Sequence, residues 1–325
     1  MASTVYSAFE EFLTYTIRLN HDSTIKARLS RDNLISSIND FSGNEDFFEL
    51  VPKHNLKFGS FARRTKIRPL DDIDLMFCIS GNGRLYCKNN DTYYLTGIDS
   101  DKSNGLLSND GFLNSTKVIN RFIKKLGILH DYRMAVMHKK KEAATLKLNS
   151  YDWNFDIVPC WYMDIDKFLI PDGFGNWKKT DPRVDNERTT SINQKHDGKI
   201  LDLIRIMKYW NNHNVTPKIG SYLLECMVLD KYDIKKKQTC YWIDIEVRDL
   251  FSYLSNKILG SVYDPKGIQG DLNNFSYDDK KKISLALDDA YKKAIQAVMF
   301  AYYNEQEDAI SKWREIFGSD FPYYS

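Results

Sequence analysis

Two motifs set close together, Phe58-Gly59-Ser60 and Asp72-Ile73-Asp74-Leu75-Met76-Phe77, predict the fold of this chain. The second motif reads as a β-strand, because apolar and β-favouring residues predominate in it. Side chains alternate between the two faces of a strand, so its two aspartates point to one side and the apolar residues beside them point into a core. The first motif reads as a turn that leads into a helix. A strand, a Gly-Ser turn, a spacer and a strand that carries Asp-x-Asp together predict an α+β catalytic domain.

The two aspartates of the second motif indicate metal-dependent phosphoryl chemistry. Neighbouring carboxylates repel each other and are costly to bring together unless cations lie between them. Mg²⁺ prefers carboxylate, water and phosphate oxygens, and it is usually held by one or two carboxylates together with substrate phosphates. Two such ions can stabilise both the attacking and the leaving oxygen of an in-line displacement. We therefore predict that Asp72 and Asp74 bind two Mg²⁺ or Mn²⁺ ions.

The Gly-Ser turn suits the other half of such a site, the phosphates of the substrate. Gly59 has no side chain, so a triphosphate can approach its backbone closely. Backbone N–H groups at a turn that leads into a helix favour an anion, and Ser60 adds a hydroxyl donor. Taken alone, either motif is usually an ordinary turn or a solvated acidic pair. Their ordered combination is what predicts a nucleotide site.

A third carboxylate, Asp156, lies within the apolar run 155–158, which reads as a strand that ends at Pro159. An aspartate inside such a run is unfavourable unless it has a partner, and the metal-bound aspartates of a neighbouring strand would provide one. We predict that Asp156 completes the metal site and activates the attacking hydroxyl, through the metal or as a base. Two alternatives stay open: Asp156 faces solvent on an edge strand, or the preceding Asp152 takes the role.

The order Gly-Ser, Asp-x-Asp and Asp156-Ile157-Val158-Pro159 resembles that of the polymerase-β-like nucleotidyltransferase superfamily. Within it, the chain most resembles the bacterial cGAS/DncV-like nucleotidyltransferases (CD-NTases) of the anti-phage CBASS systems. These are relatives of animal cyclic GMP-AMP synthase and oligoadenylate synthase. The resemblance covers most of residues 5–300, including Asp264-Pro265, which is similar to an element late in the family's C-terminal domain. It implies a two-lobed α+β fold, in which a catalytic lobe with a mixed β-sheet and a mainly helical C-terminal lobe flank the active-site cleft.

The resemblance also implies roles for three residues of the second half. In the family a helix lysine reaches the triphosphate, and Lys208 matches it on the apolar-periodic helix 200–210. A Ser-Tyr pair that starts the next helix contacts phosphate and stacks on a base, and Ser221 and Tyr222 match this pair. An aromatic face does offer a platform for a base. From the residues alone, plainer interpretations are a solvated lysine, a helix N-cap and a core aromatic.

The chain is long enough for two domains, which we place at residues 1–195 and 196–325. The first would comprise N-terminal helices and the nucleotidyltransferase core, and the second a helical domain similar to that of oligoadenylate synthase. Two polar stretches, residues 80–112 and 173–195, are predicted to be loops. From residue 198 onward the apolar pattern is mainly helical.

Charge and cysteine usage bear on partners and compartment. The formal net charge is +2, so no strong overall field draws the chain to nucleic acid. Three lysine runs, at residues 139–141, 235–237 and 280–282, read as solvated surface, with a nucleic-acid activator patch as the alternative. The 5 cysteines are dispersed without C-x-x-C spacing, which fits a reducing cytoplasm and does not suggest a zinc site. No apolar run approaches the roughly 20 residues that span a bilayer, so we expect no membrane association.

The predicted reaction is attack of a ribose hydroxyl on the α-phosphate of ATP, GTP or another nucleoside triphosphate, with release of pyrophosphate. Repetition and ring closure would give a cyclic di- or trinucleotide second messenger. We expect a cytoplasmic monomer whose product acts on a downstream effector, and the resemblance implies a regulatory HORMA-type or ubiquitin-transfer-like partner. Three alternatives stay open: a linear oligonucleotide synthase of the oligoadenylate type, a transferase that nucleotidylates a protein, tRNA or small molecule, and a catalytically silent nucleotide-binding scaffold.

Overall fold

The computed structural model describes residues 2–44, 46–129, 132, 135–148, 151–234 and 242–325. The chain forms two compact units and passes from one to the other more than once. We call one the helical unit; it consists of Met1–Asn20, Arg64–Pro69 and Glu187–Ser325. We call the other the sheet unit; it consists of His21–Arg63 and Leu70–Asn186. The domains at 1–195 and 196–325 remain a prediction, and the compact units differ from them by grouping the first helix with the C-terminal helices.

The sheet unit carries a mixed sheet, which the described residues build from nine strands. These are β1 Leu56–Phe58, β2 Asp72–Ile79, β3 Tyr86–Asn89, β4 Thr92–Leu95, β5 Val136–Lys140, β6 Ala143–Lys147, β7 Asn154–Tyr162, β8 Phe168–Pro171 and β9 Trp177–Thr180. The strand order is β1-β2-β7-β8-β9-β4-β3, and β6 pairs with both β5 and β7. Strands β2 and β7 run parallel, whereas the other pairs are antiparallel. The predicted α+β class with a mixed sheet is confirmed.

The helices are α1 Val5–Phe12, α2 His21–Asn39, α3 Gly59–Ala62, α4 Asp99–Ser103, α5 Ser115–Leu126, α6 Pro182–Lys195, α7 Ile200–Asn214, α8 Ser221–Ile234, α9 Ile243–Lys257, α10 Tyr277–Tyr302 and α11 Gln306–Phe317. A π-helical turn, Leu13–Ile17, continues α1. Within the described ranges, no helix combines the length and the apolar character needed to cross a membrane.

Two stretches predicted to be loops contain regular structure, so both predictions are wrong. Residues 80–112 hold the hairpin β3–β4 and the short helix α4. The hairpin turns at Asn90, whose φ of 52° lies in the left-handed region that asparagine tolerates better than most residues. Residues 173–195 hold β9 and α6. Proline is the first residue of α6, where its missing N–H costs no hydrogen bond, so it starts this helix and does not mark a loop.

Strand β7 also extends beyond its predicted end at Pro159. This proline lies opposite Phe77 of the parallel neighbour β2. On the other side of β7, the pairing with β6 ends at Ile157 and the pairing with β8 begins at Trp161. The proline therefore falls in a gap between two ladders, where a missing N–H removes no bond to either strand.

Aromatic contacts between the first helix, α1, and residues late in the chain dominate the core of the helical unit. Phe9 of α1 meets the rings of Trp313 and Phe321 edge-to-face, with centroid distances of 5.0 and 5.1 Å. Phe12 meets Tyr209 of α7 in the same way at 4.9 Å. All of these rings are almost fully buried. The first helix is therefore part of this core, because edge-to-face pairs add to the gain from burial.

Candidate active site

The three predicted carboxylates lie on two neighbouring strands. In the parallel pair β2–β7, Asp74 lies directly opposite Asp156, and Asp72 lies opposite Asn154. All three aspartates are partly exposed, whereas Ile73, on the opposite face, is buried. Cross-strand neighbours share a face of the sheet. The register therefore collects the three predicted carboxylates on one face, next to one another.

Asp156 does not lie on an edge strand, so that alternative is wrong. Strand β7 has β2 on one side and β6 on the other. Thr145 of β6 is the residue opposite Asp156, and its hydroxyl donates a hydrogen bond of 2.6 Å to Asp156 Oδ1. Sequence reasoning missed this threonine. Its only signal is a lone hydroxyl in the otherwise apolar stretch 143–146.

The same face of the sheet becomes apolar one step along the strands. The buried side chains there are Met76, Cys78, Ala143, Val158, Cys160 and Phe168. The carboxylates thus have solvent on one side and packed apolar atoms on the other. A charge at such a border is less screened than a charge in water, so a cation held there would interact strongly with the carboxylates.

Glycine is required at position 59 for two reasons: its backbone has a positive φ, and it lies against the side chain of Asp74. It follows β1, whose last residue, Phe58, pairs with Asp74. Its φ is +73°, and an added Cβ would lie 1.8 Å from Asp74 Oδ2. No side chain fits in that space, because real Cβ contacts are never so short. The turn and the carboxylate, predicted as two separate motifs, are therefore in direct contact. Ser60 follows as the second residue of α3.

The donor set is of the kind that hard divalent cations take. Carboxylate oxygens from two adjacent strands, partly open to solvent, match the ligands that Mg²⁺ shares with water and substrate phosphates. Among the residues that the structure describes, no three His, Cys, Asp or Glu side chains stand close enough to hold a metal ion by themselves. Carboxylates of this kind fit a metal whose remaining ligands are water and substrate phosphates.

Lys208 is buried, so its interpretation as a solvated lysine is wrong. Only 4% of the residue is exposed. Its ammonium group donates to the backbone carbonyl of Thr65 at 3.1 Å and forms an ion pair with Glu225 of α8, which is also buried. Both partners belong to the helical unit. As placed, Lys208 holds the spacer that joins the Gly-Ser turn to the Asp-x-Asp strand.

Other cations of the helical unit hold the same spacer, residues Arg64–Pro69. Arg205 of α7 donates to the carbonyl of Arg64. Arg68 donates to the carbonyls of Thr14 and Tyr15, at 3.0 and 2.8 Å. The spacer is thus fastened to the helical unit by side chains.

Tyr222 is partly buried, and its side chain contacts Asp264 and Lys266. Its hydroxyl donates to Asp264 at 3.0 Å, and the ammonium of Lys266 lies 4.2 Å from its ring centroid. Burial of Asp264 favours its neutral form, but hydrogen bonds from Lys266 and the backbone N–H of Gln269 outweigh this and lower the pKa of Asp264. Ser221 is exposed as the first residue of α8, and the Gly220 carbonyl accepts the first helical hydrogen bond.

The predicted residues therefore fall into two groups. Asp72, Asp74, Asp156, Gly59 and Ser60 belong to the sheet unit, and register and contact bring them together there. Lys208, Ser221 and Tyr222 belong to the helical unit. Their roles in binding or catalysis stay predictions.

The chain is similar to named enzymes and to solved structures. It is 43% identical over 332 residues to a probable cyclic nucleotide synthase of Bacillus cereus, covering 99% of both chains. It is 25% identical to a cyclic AMP-AMP-AMP synthase of an Acinetobacter species, over 56% of this chain and 54% of that one. No protein-family model matches.

Among solved structures, Escherichia coli CdnC with ATP has a TM-score of 0.72 at 16% identity, covering 97% of this chain and 98% of that chain. Vibrio cholerae DncV cyclic AMP-GMP synthase, in complex with a linear intermediate, has a TM-score of 0.69 at 12% identity, covering 97% of each chain. At such low identity these structures support the fold alone. The 43% identity along nearly the whole of both sequences shows that this chain belongs to the cyclic nucleotide synthases of the cGAS/DncV-like nucleotidyltransferase family, as predicted.

Proposed function

We propose that this nucleotidyltransferase condenses nucleoside triphosphates into a cyclic di- or trinucleotide second messenger for anti-phage signalling. The observation that carries this proposal is the in-register pair Asp74–Asp156, with Asp72 on the same face and Gly59 against Asp74. The name of the Acinetobacter relative supports a cyclic product. The DncV structure was solved with the linear intermediate pppA(3′,5′)pG, which supports stepwise synthesis.

The carboxylates would hold two Mg²⁺ or Mn²⁺ ions. When bound, these ions would stabilise charge on the attacking and leaving oxygens. Asp156 would accept the proton of the attacking ribose hydroxyl, because a carboxylate at a partly exposed position can act as a general base. The backbone N–H groups of the turn at Gly59 and the hydroxyl of Ser60 would bind phosphate oxygens.

The helical unit would contribute Lys208, Ser221 and Tyr222. Lys208 would bind phosphate only by giving up part of its present bonding to Thr65 and Glu225. Ser221 is exposed at a helix start, where an anion is favourable. Tyr222 would stack a base on the exposed part of its ring, while its hydroxyl is held by Asp264 and Lys266.

The partner proposals rest on similarity and on chemistry. CdnC has been solved in complex with a HORMA protein, and that structure has a TM-score of 0.69 to this chain, which supports a regulatory partner of this kind. The dispersed cysteines, without C-x-x-C spacing, support a reducing cytoplasm. The protein would act as a monomer, and a downstream effector would bind its product. A nucleic-acid activator stays the weaker alternative.

The first test is product analysis. Purified protein is incubated with all four ribonucleoside triphosphates and Mg²⁺ or Mn²⁺, treated with phosphatase and measured by mass spectrometry. We expect a phosphatase-resistant species at the mass of a cyclic di- or trinucleotide, and none with EDTA. A linear product that loses its 5′-triphosphate to phosphatase would indicate the oligoadenylate type. Nucleotide binding without turnover, with every candidate activator added, would indicate a silent scaffold.

Carboxylate variants test the assignment of the site. We expect Asp74→Asn and Asp156→Asn each to lower product formation by at least about 100-fold, since each removes a charge that the reacting groups need. Asp152→Asn is the matched control, because Asp152 is an exposed aspartate close in sequence. If Asp152→Asn abolishes activity and Asp156→Asn does not, the third carboxylate has been assigned to the wrong residue. Circular dichroism verifies that all three variants fold.

A further inference from the structure

We propose that Thr145 is a positioning residue, which fixes the carboxylate of Asp156 for the reaction. This inference rests on the proposed function, because it concerns how the third carboxylate is held. Thr145 touches neither nucleotide nor metal in this proposal. It acts through the hydrogen bond between its hydroxyl and Asp156 Oδ1.

Because Thr145 is buried, its hydroxyl needs a hydrogen-bond partner within the protein. The residue is 3% exposed, and its chain neighbours Ala144 and Leu146 are buried apolar residues. A hydroxyl without a partner in such a place would cost about 1–3 kcal/mol. Its partner is a carboxylate at 2.6 Å, a length that marks a charge-assisted bond, stronger than a bond between neutral groups. The bond to Asp156 therefore satisfies a hydroxyl that is buried among apolar neighbours.

The direction of the bond decides what it does for the site. Strand β6 lies on one side of β7, and β2 with Asp74 lies on the other. The hydroxyl bonds to Oδ1 from the β6 side, and in this proposal the second oxygen, Oδ2, takes part in the chemistry. Without this bond the carboxylate would rotate among several orientations, and part of its population would be unproductive. A misplacement of catalytic groups by about 1 Å can cost 100-fold in rate.

The side-chain type also fits a positioning role. Threonine is branched at Cβ, so its χ1 angle is stiff, and its methyl group packs in the strand while the hydroxyl stays directed. Serine would keep the hydroxyl but would lose this stiffness. Valine has the same shape as threonine but has no donor. These three residues therefore separate the hydrogen bond from the packing.

The experiment compares steady-state kinetics of Thr145 variants under the conditions of the product assay. Removal of an outer hydrogen-bond partner of a metal-binding group typically costs 10- to 100-fold. We expect Thr145→Val to lower kcat by about 10- to 100-fold with KM for the nucleotide within about 2-fold, and to raise the half-saturating Mn²⁺ concentration. Thr145→Ser should restore most of kcat. Thr96→Val is the control, since the hydroxyl of Thr96 donates to a backbone carbonyl of the same unit, that of Leu85.

Two further comparisons keep the inference falsifiable. Thr145→Ser and Thr145→Ala both lack the methyl group and differ only in the hydroxyl, so they decide the matter even where Thr145→Val is poorly folded. Equal kcat and an equal Mn²⁺ midpoint for this pair, with Asp156→Asn inactive, would overturn the role of Thr145 and leave the proposed function intact. An active Asp156→Asn would instead overturn the catalytic role of Asp156, and the inference with it.

Discussion

At the scale of single residues, Gly59 and Asp74 form one unit of the site. Gly59→Ala places a methyl group where Asp74 Oδ2 lies and demands a positive φ from alanine. We expect it to cost about 1–3 kcal/mol of stability and to lower kcat strongly, because the carboxylate must move. In an Asp74→Ala background the clash with the carboxylate is removed and only the Cβ of position 74 stays close, at 3.0 Å, so the same substitution should cost less, about 1 kcal/mol.

A double-mutant cycle by chemical denaturation measures this coupling. Gly43→Ala is the control, since Gly43 has a φ of +76° and open space around it. If Gly59→Ala costs the same amount of stability with and without the Asp74 side chain, the contact has no energetic weight.

The sequence predicted the three aspartates of the site but not Thr145. Asp72, Asp74 and Asp156 were found because a carboxylate inside an apolar strand conflicts with its surroundings, and that conflict is visible in the sequence. Thr145 was missed because a threonine suits a strand, so its local sequence carries no conflict. Its significance comes from the pairing of β6 with β7, and register is a property of two strands that neither strand shows alone.

At the scale of elements, the spacer Arg64–Pro69 is held by a buried ion pair whose removal can be tested. Lys208→Met would leave Glu225 buried without its cation, which we expect to cost about 3–5 kcal/mol. The double variant Lys208→Met/Glu225→Met should recover most of this stability, because a buried pair can often be replaced by apolar side chains.

Thermal unfolding and nucleotide KM, measured together, separate the two roles of Lys208. We expect KM to stay raised in the stable double variant if the lysine also binds phosphate. A double variant with wild-type KM would limit Lys208 to holding the spacer. Lys218→Met, at an exposed lysine, is the control.

The missed elements have a common physical cause. The hairpin β3–β4 is short, and all four residues of β3 are exposed, so no apolar alternation distinguishes it from a loop. Helix α6 is polar along most of its length and begins at a proline. In contrast, β2 has apolar residues that alternate with its aspartates, and this strand was predicted from the sequence.

At the scale of the whole molecule, the chain is interleaved between its units. The helical unit takes Met1–Asn20 and Arg64–Pro69 in addition to residues from Glu187 onward. Phe9 and Phe12, both buried, are part of its core. We expect residues 196–325, produced alone, to lack cooperative unfolding, because loss of such rings costs about 3–5 kcal/mol each.

Calorimetry and near-UV circular dichroism of that fragment, beside the full chain, check this expectation. A sharp transition with native-like aromatic signals would show that residues 196–325 fold by themselves. The predicted domain boundary at residue 195 would then describe an autonomous domain.

The contact between Gly59 and the carboxylate of Asp74 also constrains the order in which substitutions can accumulate in a lineage. A side chain at position 59 that arises first must displace the carboxylate and so lowers activity at once, whereas loss of the carboxylate needs no earlier change at position 59. The two substitutions are therefore expected to accumulate in one order, with the carboxylate lost first. A descendant that carries alanine or a larger residue at position 59 would be expected to have given up catalysis already, so this one position would identify silent members among its relatives.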